Sequence, residues 1–166
     1  MIEKVRNIAK KHVLEAINIR KHLHANPELS FQEYETSKYI QSVLKKHDIP
    51  FTTGHVETGI IATIKGKNPD TKEILLRADL DALPITEDNN IKYKSKNEGV
   101  MHACGHDFHS ASLIGTALIL NGLKEDFNGT IKFVFQPGEE KLPGGAKLMI
   151  EGGLLNNKPQ ACICLL

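Results

Sequence analysis

Two short runs constrain the fold of this chain more than any other feature. EILLRADLDALPI (residues 73–85) and TIKFVFQPGEE (130–140) each open as largely apolar sequence of strand length, then break into acids, Pro and Gly. Strands that lack a clean polar face must be covered on both sides, and layered α/β folds provide that cover. The acids therefore emerge where the strands end, at the carboxyl edge of a sheet, which is where such folds bind ligands.

The rest of the pattern supplies the covering helices. Ile2, Val5, Ile8, Ala9, Val13, Ala16, Ile17 and Leu23 recur at three- and four-residue steps, which predicts an amphipathic helix that Pro27 stops. Ser30-Phe31-Gln32-Glu33 has the form of a capping box opening a second helix toward His47. β-Branched runs divided by Gly and Pro predict strands near 51–57, 59–65 and 73–80, with Gly66–Asp70 as the turn between the last two. Residues 82–100 read as a long surface loop, a length that is uncommon without a functional reason. A helix starting near Asp107 carries Ala111, Leu113, Ile114, Ala117, Leu118 and Leu120 inward, and a short one spans 146–151. ACICLL (161–166) reads as a last buried strand, with Cys162 and Cys164 as core residues. An apolar strand without a following cover is unusual for a complete domain, so the expectation is a truncated one.

Charge and composition exclude several classes of function. A formal net charge of +1 gives no general attraction to nucleic acid or anionic membrane, and 5% aromatic residues leave no stacking platform beside a basic groove. No apolar run approaches the length needed to span a bilayer. The odd count of 3 cysteines does not suggest a disulfide framework, so a reducing, cytoplasmic setting is expected.

The chemistry concentrates in MHACGHDFH (101–109). Cys104 and His106 lie two apart, so extended backbone points both side chains the same way, toward one ion or two neighbouring ions. His109 shares their face if a helix has already begun, and Asp107 adds a carboxylate. A thiol and imidazoles suit a zinc-like ion, and Glu140 adds an oxygen. Its neighbour Glu139 is then free to accept a proton from water and return it to a leaving nitrogen. Each residue also has a plainer reading: a core cysteine, surface histidines, a solvated acidic loop. Asp81 either orients a ligand histidine or pairs with Arg77, and for Asp79 the pairing with Arg77 is favoured. His22 and His24 are expected at the surface or as helix-end partners.

Four blocks, RKHLHANPELSFQEYET, LLRADLDALPI, GVMHACGHDFHSASLIGTALIL and GTIKFVFQPGEEKLPGGAKLMIEGG, together resemble the amidohydrolase branch of the zinc aminoacylase and carboxypeptidase family. Hippurate hydrolase, N-acyl-amino-acid amidohydrolases and auxin-conjugate hydrolases belong to that branch. The resemblance implies an α/β metallopeptidase-type catalytic domain with a central mixed sheet flanked by helices. On that resemblance residues 1–166 are expected to form its N-terminal part, without the lid or dimerisation domain and the remaining catalytic segment. The resemblance also implies two divalent ions (zinc or manganese), Cys104, His106 and Glu140 as ligands and Glu139 as general base. A further histidine ligand is expected just after the strand that ends ACICLL, and another near the far C-terminus. The expected substrate is an N-acyl amino acid, with a homodimer as the possible full-length assembly. Dipeptidase specificity, or an inactive fragment or metal-binding module without turnover, are the rival readings.

Overall fold

A computed structural model describes residues 1–165. Two helices lead, α1 (Ile2–Ala25) and α2 (Tyr34–Lys46), followed by strands β1 (Phe51–Gly54), β2 (Glu57–Lys65) and β3 (Glu73–Asp79). Helix α3 (His106–Asn121), strand β4 (Thr130–Gln136), helix α4 (Gly145–Glu151) and strand β5 (Ala161–Cys164) complete the order. The five strands form one mixed sheet in the order β1-β2-β4-β3-β5. The α/β class and the helix-flanked mixed sheet are as expected from sequence.

The decisive pairing is β3 with β4. They run parallel in a register that sets Asp79 opposite Gln136, so both acid-bearing ends leave the sheet at one edge. Helix α3 makes the crossover between them, and α4 carries the chain from β4 to β5 on the other side of β3. The main core lies between the sheet and α1, α2 and α3, built from Phe133 and Phe135 of β4, Ile60 and Ile64 of β2, and Ile40, Leu44 and Ile114 of the helices. A smaller cluster of Leu75, Val134 and Met149 seats α4 on the opposite face. Both central strands are thus covered twice, which explains their apolar character. Ile114 has 0% exposure at the centre of the larger core. Ile114→Val is expected to lower unfolding free energy by about 1 kcal/mol, read from the shift in urea midpoint.

Three local expectations need correction. Ser30 and Glu33 form no capping box: the N-cap of α2 is Glu33 itself without a side-chain bond, and the Glu28 carboxylate accepts the Glu35 and Thr36 amides instead. Ser30 and Glu33 both turn inward, away from the helix they were expected to cap. Among the described residues strand β5 is not buried: it lies at the sheet edge beside β3, and all of Ala161–Cys164 is exposed. Cys162 and Cys164 are accordingly exposed, with their sulfurs 3.6 Å apart, rather than core residues. Apolar composition describes what a strand tolerates, whereas an edge position decides what it meets. Leu166 lies outside the described residues.

The segment between β3 and α3 is irregular, as expected, but it has an interior anchor. Glu87 is buried and accepts hydrogen bonds from the Ser95 amide at 2.6 Å and the Asn89 side chain at 3.1 Å, with His24 Nε2 at 3.0 Å. Burial opposes ionisation, but these donors prevail and hold the carboxyl down at about 2 instead of the ordinary 4.5. A depressed folded value means that stability is fully present above pH 4.5 and is lost as the pH falls toward 2. Glu87→Gln is expected to flatten this acid limb by roughly 2–3 kcal/mol. Urea melts of both proteins at neutral pH and at successively lower pH check the difference.

Candidate metal centre

The site is assembled from three ends that the topology brings to one edge: the exit of β3, the start of α3 and the exit of β4. Gly105 (φ +100°) precedes α3 and lets the chain swing from the Cys104 loop straight into the helix. The helix begins at His106 itself, so His106 and His109 lie one turn apart on a shared face, with ring centroids 5.6 Å apart.

His106 is the pivot. Its Nδ1 lies 2.9 Å from the backbone carbonyl of Asp81 and 3.3 Å from that residue's Oδ1. A carbonyl only accepts, so Nδ1 carries the proton and, in the neutral ring, Nε2 presents its lone pair. Around Nε2 stand carboxylate oxygens of Asp79 at 3.6 Å, Glu140 at 3.8 Å and Glu139 at 3.9 Å, all beyond hydrogen-bonding reach. One ligand atom each from Cys104, His106 and Glu140 lies within 4.8 Å of the others, and the same is true of Asp79, His106 and His109.

The two groups differ in chemistry. In the second, Asp79 is already engaged on both oxygens, by His109 Nδ1 at 2.8 Å and Arg77 at 2.8 Å. The first offers sulfur, nitrogen and oxygen donors in the combination that a zinc-like ion takes. Partial desolvation and then the Glu140 carboxylate raise the Cys104 thiol above its ordinary range, so this acidic pocket favours a thiolate only beside a cation. The donor set therefore fits a divalent ion.

Asp81 is almost wholly buried, and its side chain holds the site together. Its Oδ2 accepts the Ser30 hydroxyl at 2.6 Å and the Glu140 amide at 2.9 Å, while Oδ1 faces His106. Burial works against its charge, but His106 and the hydroxyl and amide donors outweigh it and hold the carboxyl at about 2. Glu139 and Glu140 sit on the turn after β4, with side chains 40% and 23% exposed.

Not every residue of the histidine-rich block joins the centre. Asp107 faces away, with one oxygen 2.8 Å from both Arg20 Nε and His24 Nδ1. His24 is consequently buried between Asp107 and Glu87 rather than lying at the surface, and it ties the end of α1 to the loop and to α3. His22 instead stacks on Tyr39. His102, which the spacing argument passed over, is also buried, and burial lowers it to about 4. Its only sequence signal is its place in the block. Glu33 was missed as well, because S-x-x-E before a helix has a ready explanation in capping.

The sequence model for peptidase family M20/M25/M40 matches residues 75–166, more than half of the chain and the part that contains every residue of the centre. The chain belongs to this family. It is 50% identical over 141 residues to an N-acetylcysteine deacetylase of Bacillus subtilis, covering 84% of this chain and 37% of that protein. It is 42% identical over 154 residues to the N-acyl-L-amino acid amidohydrolase of Geobacillus stearothermophilus, covering 93% and 41%. The fold superimposes with a TM-score of 0.87 and 47% identity on the B. subtilis protein YXEP, described as a dinuclear metal binding peptidase. That match covers 93% of this chain and 43% of YXEP. The M20 chain described here thus spans about two fifths of the length of these relatives. Among its described residues no helix is long and apolar enough to cross a membrane.

Proposed function

We propose that this M20 chain is the N-terminal part of the catalytic domain of a metal-dependent hydrolase that cleaves the amide bond of N-acyl amino acids. The supporting observation is the convergence of Cys104, His106 and Glu140 within 4.8 Å, with Glu139 beside them but outside that donor set. The names of the relatives agree: one is a deacetylase of N-acetylcysteine and another an amidohydrolase of N-acyl-L-amino acids. Cys104, His106 and Glu140 would hold divalent metal. Two ions are proposed, zinc or manganese, with further donors from outside residues 1–166; the relative YXEP is described as a dinuclear metal binding peptidase.

When bound, the metal supplies Lewis acidity, which lowers the pKa of water and polarises the amide carbonyl. The protein's own residues do the rest. Asp81 fixes the His106 ring through its carbonyl and carboxylate, so Nε2 keeps its lone pair toward the centre. Glu139 takes a proton from the attacking water and delivers it to the departing amine nitrogen, so the products are a carboxylic acid and an amino acid. The acyl pocket, the lid and any dimer contact are assigned to segments outside this chain, and the three free thiols agree with a reducing, cytoplasmic setting.

A panel of N-acetyl amino acids, N-benzoyl amino acids and dipeptides, assayed on the full-length protein with zinc or manganese, tests this reading. Hydrolysis of the acyl amino acids above the dipeptides is expected. Preference for dipeptides would replace the substrate assignment, and absence of metal-dependent turnover on all three would remove the hydrolase reading.

A further inference from the structure

Glu33 is fully buried, at 0% exposure, yet its hydrogen-bond partners are all neutral donors. Oε1 accepts the Phe31 amide at 2.9 Å and the Gly138 amide at 2.8 Å, while Oε2 accepts the Thr58 hydroxyl at 2.7 Å. A carboxylate without a cationic partner is costly to bury, and burial indeed raises this one above its ordinary range. Nothing about capping α2 accounts for it, because none of these bonds reaches a free amide in the first turn of that helix.

The bonds lead instead to the turn that carries the paired acids. Gly138 directly precedes Glu139 and has φ +58°, and an added Cβ would lie 2.4 Å from the Phe31 ring. Its amide is held by Glu33, and its carbonyl accepts the Gly145 amide at 2.9 Å. One residue beyond Glu139, the Glu140 amide is held by Asp81 at 2.9 Å, the same carboxylate oxygen that Ser30 grips. The amides of the residues on either side of Glu139 are therefore held by buried acids, and the Gly138 carbonyl by the Gly145 amide, while the Glu139 side chain stays 40% exposed. Its direction is set by its backbone.

We infer that Glu33 is a positioning residue for Glu139: by holding the Gly138 amide it aims Glu139 at the Cys104–His106–Glu140 cluster. This rests on Glu139 being the general base. Glu33→Gln keeps the oxygen that binds both amides and turns an NH2 toward Thr58, whose hydroxyl can accept. Glu33→Ala removes the acceptor altogether, and Glu33→Asp withdraws it by one methylene.

In the metal-loaded full-length protein, Glu33→Ala is expected to lower kcat about 10- to 100-fold, the scale of an ångström-level misplacement, with KM and metal content nearly unchanged. Glu33→Gln should stay within about threefold of the parent, since its bonds are retained. Where Glu33→Ala does not fold, Glu33→Asp serves in its place. The deciding comparison is the double variant with Glu139→Gln: because Glu33 acts through Glu139, adding Glu33→Ala should cause no further loss. A multiplicative loss, or a Glu33→Gln variant as slow as Glu33→Ala, overturns the inference. A Glu139→Gln enzyme of undiminished rate would instead refute the base assignment. In that case, amide exchange at Gly138 in the full-length protein decides the positioning question alone: protection should fall in Glu33→Ala and persist in Glu33→Gln, and unchanged protection in both counts against it.

Discussion

Glu139→Gln is expected to lower kcat by about 10³-fold, near 4 kcal/mol of transition-state stabilisation, in the middle of the range for general acid–base catalysis. Gln matches Glu in size and can still accept a hydrogen bond, but it cannot take a proton and hand it on. Metal content should be unchanged, because Glu139 is not one of the three donors that converge. Its Oε2 stands 3.9 Å from His106 Nε2, on the open side of the cluster where water can reach it. Steady-state kinetics with metal analysis on the same samples check both halves of the expectation. Turnover that survives the substitution would remove Glu139 from its role, while loss of metal together with rate would move it into the donor set.

His106→Ala should have the largest effect on metal. This side chain belongs to both groups of converging donors, and it is the only nitrogen donor in the Cys104 and Glu140 group. Changing a residue that merely supports a ligand costs about 10- to 100-fold in affinity, so loss of the ligand itself should exceed about 100-fold. Binding to the folded state also stabilises it, so zinc should raise the unfolding temperature of the parent chain in a concentration-dependent way and leave His106→Ala almost unmoved. Isothermal titration and thermal melts across a zinc series read these effects. Equal zinc responses in the two proteins would place the ion elsewhere.

Most of the elements were legible because their causes are local. The three- and four-residue steps of Ile2 through Leu23 and of Ala111 through Leu118 are helical periodicity, and the structure forms α1 and α3 there. The apolar β4 run is a strand that buries Phe133 and Phe135 on one face and Val134 on the other. Failures arose where a local pattern had two uses. S-x-x-E serves as a helix cap or as two inward-facing oxygen ligands for a loop. Only the approach of Gly138, Thr58 and Asp81 selects the second. An apolar strand such as ACICLL fits an interior or an edge, and among the described residues it lies outermost, beside β3.

What the sequence determined by itself is the chemical inventory and the secondary-structure period: which side chains can ligate, which can move protons, and where strands end in acids. Those are properties of residues and their near neighbours. What only the tertiary structure decided is which of these groups meet. Parallel pairing of β3 with β4 brings residue 81 to residues 139 and 140 across a separation of more than fifty positions, and the same packing turns Asp107 toward α1 and draws Glu33 under the β4 turn. Convergence of that kind depends on strand register and crossover, which arise from burial summed over the whole core and leave no mark on any short stretch of residues.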